Sequence, residues 1–199
     1  MQRTEIIVLA SSSPYRRALL ERLTSRFVWQ APAVDESPLP GEPPMDLVRR
    51  LALAKARALA NGYPNALVIG SDQIAVVDGR PLGKPGSAAR AFAQLSFASG
   101  RTVRFLTSVG VLNSARKHYE LDVVATDVRF RVLNERQIRN YIERERPFDC
   151  AGSFKCEGQG IALFESITSD DPSALVGLPL IALVGMLSRA GFDILTDSP

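Results

Sequence analysis

The clearest candidate for a chemical role in this sequence is a carboxylate placed inside an apolar strand. Asp72 stands where the polar residues 70–73 interrupt a run of apolar, β-branched residues. An ionised carboxylate is rarely buried unless a cation, a metal ion or a proton compensates its charge. Gly70, just before it, is typical of a bulge or of a ligand that approaches the backbone closely. Asp72 is therefore predicted to serve chemistry rather than packing.

A second group of candidates follows the first apolar run. Residues 6–10 predict a buried strand, the serines at 11–13 supply capping hydroxyls, and Pro14 suits the first position of a helix. Arg16 and Arg17 then fall in the first turn, where the helix dipole disfavours cations by roughly 0.3–1 kcal/mol. Hydroxyls, free backbone N–H groups and guanidinium groups together suit a phosphate chain. The alternative is that both arginines face solvent or pair with Glu21.

Carboxylates that could bind a metal ion occur in a proline-rich loop. Asp35 and Glu36 stand side by side within residues 31–44, which contain too many prolines to form a helix. Together with Asp72 they offer oxygen ligands, and without a usable histidine such a set favours Mg²⁺ or Mn²⁺. The alternative for the two loop carboxylates is simple exposure to water.

Two lysines complete the charged candidates. Lys55 lies in a helix predicted over residues 46–60, and Lys84 lies in a loop between a glycine and a proline. Either ammonium group could neutralise a polyphosphate, or could be an ordinary solvated charge.

Composition excludes several other kinds of site. The chain has 199 residues, 46% of them hydrophobic, and a formal net charge of +3 with scattered basic residues, unlike the basic surface of a nucleic-acid binder. Its two cysteines, Cys150 and Cys156, and its single histidine, His118 in a predicted polar turn, exclude a Cys/His zinc site and a serine triad. The cysteines are expected to be reduced thiols rather than a disulfide. The sequence also contains no Walker, GxGxxG or HExxH motif.

No segment of the sequence is typical of a signal peptide or a membrane span. The apolar run at residues 6–10 is too short for a signal-peptide core, and the longest apolar run, residues 174–187, is too short to span a bilayer and contains Pro179. We expect a cytoplasmic protein that binds neither a membrane nor a nucleic acid.

The order of predicted elements indicates one compact α/β domain over residues 1–199, because no repeat, low-complexity tract or linker divides it. Strands are predicted at residues 6–10, 27–30, 66–80 with a turn at 78–79, 103–112, 119–133 and 161–165. Helices are predicted at residues 14–23, 46–60, 87–99, 134–145 and 178–189.

Six motifs occur along the chain in a recognisable order. They are SSSPYRR at residues 11–17, the Asp35-Glu36 pair, Lys55 followed by alanine, GSD at residues 70–72, GKP at residues 83–85, and a loop with Gly158 and Gly160. Together they resemble the Maf family of nucleoside triphosphate pyrophosphatases over nearly the whole chain. The resemblance implies an α/β fold with an elongated mixed β-sheet flanked by helices, like that of Maf and ITPase proteins, which is often a homodimer. It also implies hydrolysis of nucleotides to the monophosphate and pyrophosphate with a divalent metal cation.

The resemblance further implies a role for each candidate residue. Asp72 is similar to the proton acceptor of the family, and Glu36 with Asp72 to its metal-binding carboxylates. The residues implied to contact the substrate phosphates are Ser11, Ser13, Arg16, Arg17, Lys55 and Lys84. In such a site a water attacks the α-phosphorus, a carboxylate takes its proton, and the cations stabilise the leaving pyrophosphate.

Three positions depart from the pattern of many Maf proteins, and we expect them to determine the substrate. Tyr15 stands where arginine is common, Gln73 where threonine is common, and FKCE at residues 154–157, ending in Glu157, where a YGxQ loop is common. The combination is similar to the subfamily that hydrolyses 7-methyl-GTP. Methylation at N7 gives guanine a positive charge, so Glu157 could accept hydrogen bonds from the base edge while Tyr15 stacks on its face. The alternative for both is an ordinary surface side chain.

Other functions stay open at the level of sequence. The nearest alternative is the same chemistry on dTTP, UTP or another canonical nucleotide. A non-catalytic nucleotide-binding regulator of cell division is less well supported, because a pure binding protein would need the cations but not the carboxylates.

Overall fold

The computed structural model describes residues 6–197, in which strands form one mixed sheet with helices on both faces. The strands are β1 (Ile6–Ala10), β2 (Phe27–Gln30), β3 (Ala66–Val77), β4 (Arg80–Leu82), β5 (Thr102–Asn113), β6 (His118–Phe130) and β7 (Phe164–Ser169). The helices are α1 (Pro14–Glu21), α2 (Pro44–Ala60), α3 (Ala88–Ala98), α4 (Glu135–Glu145), α5 (Leu180–Ala190) and α6 (Ile194–Asp197).

The sheet has the order β2-β1-β3-β5-β6-β7, with β4 paired to β3. β1 runs parallel to β2 and β3, and the other pairs are antiparallel. The predicted α/β fold with a mixed sheet flanked by helices is therefore confirmed. The predicted single domain over residues 1–199 stays a prediction, and residues 1–5 and 198–199 lie outside the described residues.

The two faces of the sheet are covered by different helices. On one face α2 packs against an apolar cluster that includes Val8 and Val68. On the other face α5 covers the β1 end of the sheet, and α3 and α4 cover the region around Phe105 and Phe130. Because side chains alternate along a strand, Asp72 faces α2, whereas its neighbours at 71 and 73 face the opposite layer. None of the helices within residues 6–197 is both long and apolar enough to cross a membrane.

An edge of β3 is left without a neighbouring strand at its centre. One edge of β3 pairs with β5 over residues 67–76. The opposite edge pairs with β1 only as far as Gly70 and with β4 only from Ala75 onward. The chain leaves β1 at this point and turns into α1, so the start of α1 lies beside the open edge of β3.

Several predicted element boundaries are wrong. α2 begins at Pro44 instead of residue 46, β6 ends at Phe130 instead of residue 133, and α5 begins at Leu180 instead of residue 178. α1 ends at Glu21 instead of residue 23. The predicted strand 161–165 is displaced, because residues 159–163 form a 3-10 helix and the strand is β7. The Gly160 N–H donates to the Lys155 carbonyl at 3.1 Å, and a side chain at Gly160 would put a Cβ 2.2 Å from that oxygen. This glycine-dependent backbone turn brings Gly160 against Lys155, and a short apolar run does not reveal such a contact.

Candidate active site

A cleft of about 560 Å³ opens at the free edge of β3. Its walls come from the start of α1, the proline-rich loop, α2, β3, the loop after β4, and the segments 149–157 and 175–177. All the predicted site residues except Arg17 and the candidate carboxylate Asp35 line it. They are Ser11, Ser13, Tyr15, Arg16, Glu36, Lys55, Asp72, Gln73, Lys84 and Glu157.

Lys55 joins two of the predicted carboxylates. Its Nζ lies 2.7 Å from Asp72 Oδ1 and 2.7 Å from Glu36 Oε1. The side chains of Lys55 and Asp72 are only 6% and 11% exposed, whereas that of Glu36 is 55% exposed. Ser108 Oγ accepts the Asp72 backbone N–H at 3.1 Å and donates to the Val48 carbonyl of α2. The carboxylate of Asp72 is thus fixed both by its charge partner and by its backbone.

Gly70 permits this arrangement by letting α2 lie directly on β3. A Cβ at Gly70 would lie 2.0 Å from the Ala52 carbonyl oxygen and 3.1 Å from the Ala56 nitrogen. No side chain fits there, so only glycine allows the helix close enough for Lys55 to reach Asp72. Neither predicted explanation for this glycine, a bulge or the approach of a ligand, accounts for it, because the backbone of α2 occupies the space.

The serines and Arg16 form the second part of the cleft. Ser13 is the N-cap of α1, where its Oγ accepts the Arg16 N–H at 3.4 Å, and Ser11 Oγ accepts the Ser13 N–H at 3.1 Å. The guanidinium of Arg16 points back across the cleft, and its Nε donates to the Gly177 carbonyl at 2.8 Å. Burial lowers the pKa of Arg16, while Asp72 and Glu36 oppose that shift. An arginine keeps its charge under such conditions.

Lys84 interacts electrostatically with Glu36, so both side chains lie at the same end of the cleft. Burial by itself would raise the pKa of Glu36, but Lys55, Lys84 and Arg16 lower it below its ordinary value. The carboxylate is therefore held ionised by cations that converge on one end of the cleft, which we call the cationic end and define by Arg16, Lys55 and Lys84.

The structure does not bring Arg17 or Asp35 into the cleft. Arg17 Nε lies 3.7 Å from Glu21 Oε1, and its guanidinium stacks 4.9 Å from the ring centroid of Trp29. Arg17 lies about 100° further around α1 than Arg16, and in this rotation of the helix its side chain faces Glu21 and Trp29. The prediction that Arg17 binds phosphate is not supported by this placement, and for Arg17 the alternative of pairing with Glu21 is the one observed. Asp35 is exposed and accepts the Ser37 N–H at 2.9 Å.

The opposite end of the cleft is acidic and aromatic, and we define this acidic end by Tyr15, Asp149 and Glu157. The thiol of Cys150 contacts Tyr15 Oη at 4.0 Å and Asp149 Oδ1 at 3.5 Å. Burial raises the pKa of Tyr15, and Cys150, Asp149 and Glu157 raise it further. The groups that raise the pKa of Tyr15 are carboxylates and a thiol, whereas those that lower the pKa of Glu36 are the cations of the cationic end.

Both cysteines line the cleft as free thiols, as predicted. Burial raises the pKa of Cys150 and of Cys156 to about 12. The thiols therefore stay protonated near neutral pH and contribute no negative charge, which leaves Asp149 and Glu157 as the anionic groups of the acidic end.

Several lining groups were missed at the level of sequence. Asp149 follows the end of α4 and carries no local signal beyond its proximity to the glycine-containing loop. Phe105 also lines the cleft and was not selected from the sequence; its ring packs 5.2 Å from that of Phe154, the first residue of the FKCE segment. The Gly177 carbonyl that binds Arg16 is a backbone atom, which residue type cannot indicate.

The two carboxylates at Lys55 fit the requirements of a hard divalent cation. Within the described part of the chain no group of three or more His, Cys, Asp or Glu residues could hold a metal ion by itself. Mg²⁺ is commonly held by one or two carboxylates and completes its shell with water and substrate phosphates. Glu36 and Asp72 each place one oxygen 2.7 Å from Lys55 Nζ, so the two carboxylates lie in the same part of the cleft, and the ammonium group occupies the point where these oxygens converge.

Fold and site together define an α/β protein with a cleft at the open edge of a central strand, cationic at one end and acidic at the other. The chain belongs to the Maf family, since the profile described as Maf-like protein matches residues 6–190.

Curated relatives extend this similarity over nearly the full length. A Pseudomonas aeruginosa protein named 7-methyl-GTP pyrophosphatase is 54% identical, with 94% of this chain and 98% of that protein covered. A Polaromonas protein of the same name is 53% identical, covering 96% of this chain and 87% of that protein. Among solved structures, the Staphylococcus aureus Ham1 protein has a TM-score of 0.47 and 15% identity, covering 78% of this chain and 90% of that one.

Proposed function

We propose that this protein is a pyrophosphatase that hydrolyses 7-methyl-GTP to 7-methyl-GMP and pyrophosphate. The observation that carries the proposal is the charge pattern of this cleft, which offers cations for a triphosphate at one end and carboxylates beside a tyrosine for a positively charged base at the other. The names of the close relatives support the same substrate. Formation of a homodimer, expected from the resemblance, stays a prediction.

At the cationic end, Arg16, Lys55 and Lys84 would bind the triphosphate and stabilise the charge that develops on the leaving pyrophosphate. Arg16 is suited to this because its Nε is already bound to Gly177, which leaves the terminal Nη groups for phosphate oxygens. The hydroxyls of Ser11 and Ser13 accept backbone N–H groups and still have their own protons to donate to phosphate.

Asp72 would take the proton of the water that attacks the α-phosphorus. Lys55 engages Oδ1, and no side chain within residues 6–197 engages Oδ2, which leaves that oxygen for the water. Glu36 and Asp72 would hold a divalent cation, Mg²⁺ or Mn²⁺, which when bound supplies a Lewis acid that activates water and shields phosphate charge. Lys55 keeps the two carboxylates in place and neutralises part of their repulsion toward the substrate.

At the acidic end, Glu157 and Asp149 would recognise the positive charge that N7-methylation gives to guanine. A carboxylate can accept hydrogen bonds from the N1–H and N2–H₂ edge, and Tyr15 can stack on the cationic ring. Gln73 uses its Nε2 to bind the Ala174 and Leu175 carbonyls, so only its Oε1 acceptor is left to face the base. All of these groups are acceptors or aromatic, which matches a base that presents donors and a positive charge.

A substrate panel tests the function directly. Purified protein with Mg²⁺ or Mn²⁺ is expected to turn over 7-methyl-GTP faster than GTP, UTP or dTTP. In ¹⁸O-labelled water, the label is expected in 7-methyl-GMP because attack falls on the α-phosphorus. Label in pyrophosphate, or faster turnover of UTP or dTTP, would contradict the proposal.

Variants of the acidic end separate recognition of the charge from catalysis. Glu157→Gln and Asp149→Asn keep the side-chain shape and remove one negative charge each. Both are expected to lower kcat/KM for 7-methyl-GTP by about tenfold, the effect of one charge-assisted hydrogen bond, and to change that for GTP much less. Lys84→Gln serves as the matched control, because its loss should lower both rates alike. An equal loss on both nucleotides in Glu157→Gln would assign Glu157 to the phosphates instead.

A further inference from the structure

A hydrogen-bond network behind the cleft ties Arg16 to the centre of the sheet. The Gly177 carbonyl accepts two side-chain bonds, from Arg16 Nε at 2.8 Å and from Ser71 Oγ at 3.0 Å. Three residues upstream, the Ala174 carbonyl accepts Thr107 Oγ1 at 2.9 Å and Gln73 Nε2 at 2.9 Å. The backbone of residues 174–177 is therefore bound to β3 at both ends and to β5 at Ala174.

The conformation of Gly177 makes this anchoring specific. Its φ is +125°, which side-chain-bearing residues rarely adopt, and this fixes the direction in which the carbonyl points. Ser71 and Thr107 are 1% and 0% exposed and do not line the cleft. Neither hydroxyl can touch a bound nucleotide, so any effect on turnover must pass through the residues that they hold.

The network constrains the orientation of the Arg16 guanidinium. Within residues 6–197 its hydrogen bond to Gly177 is the one bond its side chain makes, and this bond uses Nε. A guanidinium held through Nε presents its two Nη groups in a fixed plane, the geometry that binds a phosphate with two parallel hydrogen bonds. Without the anchor, the flexible side chain would have to lose its rotamer freedom each time a substrate binds.

We propose that Ser71 and Thr107 are positioning residues that orient Arg16 toward the pyrophosphate part of the substrate through the backbone of residues 174–177. The inference rests on the proposed function and deepens it, because it assigns the orientation of Arg16, and with it the binding of the leaving group, to a network behind the cleft. It follows that loss of the Ser71 hydroxyl weakens phosphate binding equally for every nucleotide. Loss of the Thr107 hydroxyl also removes a hydrogen-bond partner of Gln73, which faces the base.

The test uses Ser71→Ala and Thr107→Val in the full chain, with two readouts. One is kcat/KM for 7-methyl-GTP and for GTP, and the other is the inhibition constant of pyrophosphate. Each variant is expected to lower both kcat/KM values and weaken pyrophosphate inhibition by about 3–10-fold, the effect of one hydrogen bond. The ratio between nucleotides is expected to stay unchanged in Ser71→Ala, because Ser71 does not contact Gln73. Thr107→Ser keeps the hydroxyl and is expected to restore most of the loss.

A double-mutant cycle separates positioning from general stability. The Arg16→Lys variant has no guanidinium group for the network to orient. Adding Ser71→Ala to it is therefore expected to lower kcat/KM and weaken pyrophosphate inhibition by less than about a further twofold. Ser114→Ala is the matched control, because the Ser114 hydroxyl also binds strand backbone, at Ala66 at the far end of β3. It is expected to leave pyrophosphate inhibition unchanged even where it lowers the melting temperature.

Two results would overturn the inference: fully additive losses in Ser71→Ala/Arg16→Lys, or unchanged pyrophosphate binding in both Ser71→Ala and Thr107→Val while their folds are intact. If the wild type hydrolysed no nucleotide, the proposed function would fail separately. Pyrophosphate affinity measured by calorimetry would still decide whether the network orients Arg16.

Discussion

Lys55 is expected to stabilise the folded protein by neutralising the buried carboxylate of Asp72. The Lys55→Met variant measures how much this pair contributes to the free energy of unfolding. Methionine fills a similar volume but leaves the carboxylate of Asp72, whose side chain is 11% exposed, without its cation. Removing one partner of a buried ion pair costs about 3–5 kcal/mol. Glu36 is 55% exposed and can turn to water, so it adds at most about 1 kcal/mol. Because Asp72 lines the open cleft, where water partly compensates its charge, we expect a total loss near the lower limit, about 3 kcal/mol.

Thermal unfolding at neutral pH checks this magnitude. For a domain of about 150–250 residues, 1 kcal/mol shifts the melting temperature by about 2–4 °C, so Lys55→Met should melt about 6–12 °C lower. Adding Asp72→Asn removes the unpaired charge and should restore at least half of the loss. Lys84→Met is the control, since this exposed lysine lines the same cleft and its loss should change stability by less than about 0.5 kcal/mol.

The double variant decides whether the reasoning holds. If Lys55→Met/Asp72→Asn were less stable than Lys55→Met, the cost would come from lost packing of the lysine stem and not from a buried unpaired charge. A melting temperature unchanged in Lys55→Met would show that the pair contributes nothing in the folded protein.

Three further predictions follow from the same contacts. Gly70→Ala should prevent α2 from docking on β3, because its Cβ would lie 2.0 Å from the Ala52 carbonyl oxygen, and loss of soluble, cooperatively folding protein would be the measurement. Arg50 holds the pKa of Glu42 at about 2, against an ordinary 4.5, so its stabilising effect is complete above pH 4.5 and lost as the pH falls through about 2. Glu42→Gln should therefore flatten the acid limb of a stability–pH curve in that window, and an unchanged curve would refute the pairing. Arg17→Gln should retain kcat within about twofold, as a surface change outside the cleft, and a loss of an order of magnitude would return Arg17 to the phosphate site.

Local signals in the sequence were sufficient for most of the elements. The strand at residues 6–10 and the helix start at Pro14 agree with β1 and α1, because a β-branched run and a serine-proline cap are contained within a few residues. The start of the helix predicted at residues 134–145 agrees with α4 for the same reason, because Asn134 and Gln137 form a capping box within four residues. The failure at residues 161–165 arose because the backbone contact between Gly160 and Lys155 decides that segment, and the apolar pattern does not report it.

The sequence alone also selected nearly all of the side chains that line the cleft. It did so because a charged residue in an apolar strand and cations at a helix start violate local rules, and such violations mark functional sites. Only the tertiary structure decided which of two adjacent arginines enters the cleft, since that depends on the rotation of α1 about its axis. It also decided that Gly70 serves the docking of α2 and that backbone carbonyls of residues 174–177 orient Arg16. These are contacts between segments far apart in the chain, and their geometry is set by packing rather than by the identity of any one residue.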